Sequence, residues 1–188
     1  MKKMPEVTDA TRQTFVEAFC DLYIDNPIEK ISVKDVILKA GYSRATFYNY
    51  FKDVYDLRDH AENVFIDSIM ERVLENIRTG RPIEKFVQIF IEILNDENFY
   101  INVFIGSANN SQFIEKINDK VAPILIDAFN VRDDNLKAPY AIKFYISGLI
   151  STIRMWLKDE YSITKGDFAS LIKGILWDGI IRQLDMTY

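Results

Sequence analysis

The sequence holds a single cysteine, Cys20, in 188 residues. One thiol excludes a disulfide framework and a cysteine zinc site, and it fits a reducing, cytoplasmic setting. Histidine is equally scarce. His60 stands alone, with no cysteine or acid cluster at ligand spacing, so metal binding and nucleophile–histidine chemistry lack parts. The 7 glycines form no phosphate-cradling loop. These absences argue against an enzyme and imply no metal and no cofactor. No apolar run reaches the roughly eighteen residues that a membrane span needs, so no membrane is expected as a partner. The basic start at Lys2 and Lys3 is followed by no apolar stretch and does not read as a signal peptide. No segment alternates apolar and polar residues in the manner of a half-buried strand.

What is present is the composition of a globular chain, 48% hydrophobic and 27% charged, enough to bury a sizeable core. Aromatic residues reach 13%, with 13 Phe and 10 Tyr, which suggests an aromatic core or a ring-lined cavity. The net charge of −5 is unpromising for a nucleic-acid binder, but its distribution is uneven. From Lys30 to Lys52 five cations (Lys30, Lys34, Lys39, Arg44, Lys52) face one acid, Asp35. That window carries +4 and the remainder −9, a local cationic patch on an acidic body.

Helical signals follow one another along the chain. Thr8 and Asp9 can cap a first helix with Phe15, Ala18, Phe19 and Leu22 at i, i+3, i+4, i+7, ended by Asn26-Pro27. Ser32 can cap a short second helix carrying Val33, Val36, Ile37 and Ala40, and Gly41 can end it with a left-handed turn. Ser43 then caps a short third helix whose buried side holds Phe47 and Phe51. Asp53 and Asp56 suit the first turn of a fourth, running to about Arg78. Thr79-Gly80-Arg81-Pro82 is the clearest break. Apolar helices are expected around Phe86–Leu94, Phe99–Ile105 and Phe113–Phe129, the last with Pro123 inside it. Two long helices are expected over about Pro139–Lys158 and Thr164–Leu184.

A short helix joined to a second by a tight glycine turn, over Ser32–Phe51, is the anatomy of a helix-turn-helix. The second helix of such a pair enters the major groove. Its outward residues here are Arg44, Ala45, Thr46, Tyr48, Asn49 and Tyr50, which can meet base edges and phosphates. The caps Ser32 and Ser43 leave helix N-termini for phosphates.

The stretch Ile31–Asp53 resembles the TetR family of bacterial one-component regulators. The likeness rests on a β-branched second helix, the turn Ala40-Gly41-Tyr42-Ser43, the run Ala45-Thr46-Phe47-Tyr48 and the Phe51-Lys52-Asp53 that follows. It covers roughly residues 8 to 60. Tyr50 departs from a frequent His, and Val54 from a usual Lys or other polar residue, which puts one backbone contact in doubt. Position by position, the resemblance puts Arg44, Ala45, Thr46, Tyr48 and Tyr50 on bases and backbone, and Ser32, Val33, Lys34 and Lys52 on phosphates. Lys39 reads as a solvated surface charge.

The resemblance implies an all-α protein of about nine helices. A helix-turn-helix DNA-binding domain would occupy residues 1–53, and a helical bundle for ligand sensing and dimerisation residues 54–188. Its partners would be operator DNA, an unknown small-molecule effector and a second copy of the chain. The expected function is a ligand-responsive repressor acting on a palindromic operator. The alternative is a co-activator of the same fold that works through a protein partner. Ile146, Leu149, Ile153, Ile172, Ile175 and Leu176 are the expected dimer contacts, with Gly148 permitting close approach, although the same faces would serve a monomer core. Phe90, Tyr100, Phe104, Phe113, Phe144 and Trp156 are the expected ligand-lining rings, although rings at helical spacing equally fill a core. Asn102 and Arg154 are candidate polar groups for that pocket.

Overall fold

The computed structural model describes residues 5–78, 86–106, 111–128, 131–132, 134–160 and 162–176. All regular structure among them is helical: α1 (Pro5–Tyr23), α2 (Val33–Ala40), α3 (Arg44–Tyr48), α4 (Val54–Arg78), α5 (Phe86–Asp96), α6 (Asn98–Ile101), α7 (Ser111–Ala128), α8 (Ala138–Lys158) and α9 (Lys165–Leu176). A single 3₁₀ turn, Ile28–Lys30, precedes α2, and a π-helical turn, Asn102–Gly106, follows α6. The break expected at Thr79–Pro82, Phe129 and the end of the last expected helix at Leu184 lie outside the described residues. The chain divides into two compact units, 1–65 and 66–188, and the division falls inside α4.

In the N-terminal unit the local chemistry fixes each helix end. The Ser32 hydroxyl accepts from the Asp35 amide while the Asp35 carboxylate accepts from the Ser32 amide, a reciprocal cap that starts α2. Gly41, at φ 72°, terminates it in the left-handed region that a side chain disfavours. Ser43 caps α3 through the Thr46 amide. Asp53 accepts from the amides of Tyr55 and Asp56 and so opens α4. The core is aromatic. Phe15 of α1 is fully buried, with Phe47 edge-on at 5.4 Å, Tyr42 at 5.2 Å and Phe51 at 6.2 Å. Phe19, Val36 and Leu57 complete it. Cys20 is buried too, and burial pushes its thiol pKa up.

In the C-terminal unit α7 packs on α8, α5 on α9, and the π turn on α8. The buried face of α8 is Ile142, Ile146, Ile150, Ile153 and Trp156. Trp156 stacks on Phe168 of α9 at 4.8 Å and donates its indole N–H to the Ile163 carbonyl at 2.9 Å. Arg72, on the second half of α4, ion-pairs with Asp96 at 2.8 Å. Arg154 donates from Nε to the Ile105 carbonyl at the end of the π turn, 2.9 Å away. Asn102, the other polar residue expected at a pocket, donates to the Asn98 carbonyl at 2.7 Å.

Candidate nucleic-acid interface

The packing that buries Phe47 turns the rest of α3 outward. Arg44, Ala45, Tyr48 and Asn49 are exposed, Tyr48 by 49%, and Thr46 and Tyr50 are half-buried. Tyr48 meets the Phe47 ring edge-on at 5.6 Å, which holds its ring upright on the surface. The Arg44 guanidinium lies over that ring, 5.7 Å from its centroid, and an Nη donates to the Tyr48 hydroxyl at 3.4 Å. A cation over an aromatic face is attracted by the ring quadrupole. The two residues therefore form one ordered, partly positive feature on the exposed side of a five-residue helix.

The cations around α3 are not equivalent. Lys39 ion-pairs with Asp21 at 3.0 Å and is largely neutralised. Lys34 and Lys52 are exposed and make no ion pair among the described residues, although the charge of Lys34 adds to what holds the neighbouring Asp35 carboxyl below its usual pKa. The hydroxyls expected to meet phosphates are occupied inside the protein. Ser32 bonds the Asp35 carboxylate at 2.6 Å, and this bond, chiefly from the side chain, holds the Asp35 carboxyl below its usual pKa. Ser43 and Thr46 share a hydrogen bond at 2.8 Å. Val33 is half-buried, so a phosphate there would meet its backbone amide rather than its side chain. Sequence spacing gave no sign of Arg12. Its guanidinium sits 5.8 Å over the Tyr50 ring, at the edge of the same surface.

The expected effector-lining rings are dispersed. Phe90, Phe104, Phe113 and Trp156 are buried, with Phe104 and Phe113 5.5 Å apart and Phe90 5.9 Å from Phe168. Tyr100 is half-buried and stacks on Phe104, while Phe144 is 81% exposed. A groove of about 770 Å³ lies elsewhere, between α7 and the start of α8, and none of these six residues lines it. Of the expected dimer contacts, Ile146, Ile153 and Ile172 are buried within the protomer, Leu149 is half-buried and Ile175 is 54% exposed. The Leu176 side chain lies outside the described residues. A second stripe of α8, Tyr140, Phe144, Gly148, Ser151 and Met155, is exposed along its length.

The family model described as the transcriptional regulator C-terminal region of TetR type matches residues 80–178, more than half of the chain. The chain belongs to the TetR family of transcriptional regulators. YvdT of Bacillus subtilis (strain 168), an uncharacterised HTH-type transcriptional regulator, is 26% identical over 102 residues, 52% of this chain and 48% of that protein. The dhaKLM operon transcriptional activator DhaS of Lactococcus lactis subsp. lactis (strain IL1403) is 27% identical over 115 residues, 59% of this chain and 60% of its own. The chain thus spans about half to three-fifths of the length of these curated relatives. A TetR-family regulator of Streptomyces coelicolor superposes with a TM-score of 0.65 at 16% identity, covering 96% of this chain and 90% of that one. That likeness, with the family match, establishes the all-helical TetR fold. No helix among the described residues is long and apolar enough to cross a membrane.

Proposed function

We propose that this TetR-family chain is a cytoplasmic homodimer that binds a palindromic operator on double-stranded DNA and represses transcription until a small molecule binds. Residues 1–53 read the DNA, and residues 54–188 sense the effector and hold the dimer. The observation that carries the reading is the exposed Arg44–Tyr48 pair on α3, with exposed Lys34 and Lys52 in the same unit.

Each part has a chemical role. Arg44 opens the recognition helix and has the reach for a guanine edge, where a bidentate pair is worth about 1–3 kcal/mol of discrimination. The Tyr48 ring, the Ala45 methyl and the Asn49 amide face outward beside it. Thr46 and Tyr50 contribute from the helix flank. Lys34 and Lys52, with the Val33 and Lys34 amides at the start of α2, bind phosphate and set the register. The Ser32 and Ser43 hydroxyls hold the helix starts in shape rather than contacting DNA themselves.

One five-residue helix reads too few base pairs for specificity, so two copies are required. The exposed stripe Tyr140, Phe144, Gly148, Ser151 and Met155 repeats at helical spacing, and α9 adds exposed Leu171 and Ile175. A Cβ built at Gly148 meets nothing within 4 Å, which leaves room for a close helix contact. A two-fold pairing of these faces removes large rings from water. DhaS, a relative named as an activator, supports the opposite sign of regulation as the second reading. Selection from a random DNA pool tests the proposal. Two inverted half-sites are expected, and an unenriched pool or a single half-site would overturn it. A reporter placed behind the selected site decides between repression and activation.

A further inference from the structure

We infer that Arg12, on α1 and outside the helix pair that reads the groove, binds a backbone phosphate of the DNA from a seat on the Tyr50 ring. The inference rests on the DNA-binding reading above and adds to it a contact from a third helix.

Two residues of α1, one turn apart, hold Tyr50. The buried Phe15 ring lies 6.2 Å from the Tyr50 ring, and the Arg12 guanidinium sits over the Tyr50 ring at 5.8 Å from its centroid. Packing thus orders the ring, and the ring quadrupole in turn holds the guanidinium. Arg44 over Tyr48, at 5.7 Å, repeats the arrangement two residues earlier. Two guanidinium groups therefore stand on rings at the end of one short recognition helix. The seat uses Tyr50, which stands where the family pattern frequently has His.

What Arg12 lacks is a partner for its donors. It makes no hydrogen bond among the described residues, and its only ion pair there is with Asp9, at 3.7 Å. The Asp9 side chain is 75% exposed, and a long surface pair of that kind holds little. Other cations of the unit show the contrast. Lys39 is as exposed as Arg12 but is closed by Asp21 at 3.0 Å. Arg58 also lies over a tyrosine, Tyr55 at 5.7 Å, but its Nε lies 3.6 Å from the buried Glu62 carboxylate. Of the acids near His60, Asp56 is committed to the Lys52 amide at 2.9 Å. The Arg12 charge is accordingly felt around it, and it helps to lower the His60 pKa. A guanidinium offers five N–H donors in a planar fork that matches a phosphate. Arg12 is ordered, positive, partly exposed and unsatisfied beside the DNA-reading surface. Because it stands next to the recognition helix rather than on it, its partner is the phosphate chain, and its contribution does not depend on sequence.

The test is anisotropy titration of the full chain, across a salt series, with two duplexes of about 30 base pairs, one of mixed sequence and one selected from the random pool. Each neutralised phosphate contributes about 0.9 to the slope of log affinity against log salt, so Arg12→Gln should make the slope of a dimer shallower by about 1.8. It should weaken both duplexes by the same factor, on the order of tenfold. Arg12→Lys keeps a cation and should retain most of the slope. Lys39→Gln removes an equal charge that Asp21 already closes, and should leave the slope at the wild-type value. A merely structural role for Arg12 would lower the urea midpoint of Arg12→Gln and leave its slope in place. An unchanged slope in Arg12→Gln, a loss confined to the selected duplex, or an equal change in Lys39→Gln would each overturn the inference. A wild type that binds neither duplex would sink the DNA-binding reading and this contact together. A wild type that binds steeply, with Arg12→Gln equally steep, removes the Arg12 contact alone.

Discussion

The two units of this chain are both helical, but they place their unfinished chemistry differently. In the N-terminal unit the groups near the helix ends answer one another. Ser32 and Asp35, Ser43 and Thr46, and Asp53 with two amides of α4 all close locally. Among the described residues, the one buried side-chain polar atom there without a hydrogen bond, Arg58 Nε, still lies 3.6 Å from the Glu62 carboxylate. What remains open is on the surface: a guanidinium on a ring, and two exposed lysines. In the C-terminal unit Asn118 Oδ1, Tyr145 Oη and Arg154 Nη2 are buried without partners, and burial alone pushes the Tyr145 pKa up. Aromatic rings stand in solvent on α8. The comparison teaches where each unit meets something else. On the function proposed above, the first unit offers a finished surface to a polyanion, while the second leaves polar groups unmatched inside and apolar rings outside, as a unit that binds a small molecule and a second copy would.

The sharpest way to break this contrast uses neighbours that face opposite ways. On α8, Ile146→Glu places an unpaired carboxylate in the core, and the C-terminal unit should unfold, since an uncompensated buried charge costs several kcal/mol, roughly 3–5. Phe144→Glu, two residues away on the exposed stripe, should leave the fold intact and convert the dimer to monomer. Circular dichroism reads the first and ultracentrifugation the second. A folded Ile146→Glu protein, or a dimeric Phe144→Glu one, would contradict the assignment of faces. The same design applies to α3. Phe47→Ala removes a fully buried ring and should cost about 3–5 kcal/mol of stability in a urea titration. Tyr48→Ala should leave the unfolding midpoint in place and lower operator affinity by a factor worth about 1–3 kcal/mol per half-site, read by gel shift. Should Tyr48→Ala unfold the unit instead, the ring belongs to the core.

A gentler perturbation is salt. With Lys34, Lys52 and the α2 amides of two subunits on phosphates, the logarithm of operator affinity should fall with that of salt concentration with a slope of roughly −4 to −8. A flat response would count against binding led by phosphate contacts.

How much of this was legible in the sequence follows the same division. Ser32, Gly41, Ser43 and Asp53 act over three or four residues, so the limits of α2, α3 and α4 could be read directly. Phe47 and Phe51 were readable as core from their spacing. Arg12 was not, because the helix that carries it reaches Tyr50 only through the tertiary fold. The capping by Ser32 and Ser43 was legible, but not that the Ser32 hydroxyl also bonds the Asp35 carboxylate and the Ser43 hydroxyl that of Thr46, because a cap and a phosphate contact ask for the same residue. On α8 the period shows two apolar stripes but not which one faces inward. Ile146 and Ile153, expected at a dimer contact, lie in the core, whereas Phe144, expected in a pocket, stands outside. The segment Phe99–Ile105 reads as one helix by hydrophobicity, but it folds as α6 and a π turn. Pro123 was legible as a proline inside a helix, and it lies inside α7.

The smallest expected effect concerns His60, the only histidine. It packs against the Phe51 ring at 5.5 Å and is half-buried on α4. Burial, first, and the positive charge of Arg12, second, lower its pKa below the ordinary histidine value, against the opposing pull of Asp56 and Asp59. The folded state thus resists a proton that the unfolded chain accepts. Between those two pKa values the unfolded state binds more protons, so the stability of the N-terminal unit should decline as pH falls from about 6.5. Solvent reaches the ring and weakens the charge part, so the decline should be slight. Urea midpoints at about pH 7.5 and about pH 5.5 measure it, and His60→Gln should lose the extra decline that the wild type shows. Added salt screens Arg12, Asp56 and Asp59 alike and leaves burial, the largest cause, untouched. The decline should therefore persist at high salt. Its complete loss would make the charges rather than burial the dominant cause, and a stability that rises on acidification would reverse the sign of the shift itself.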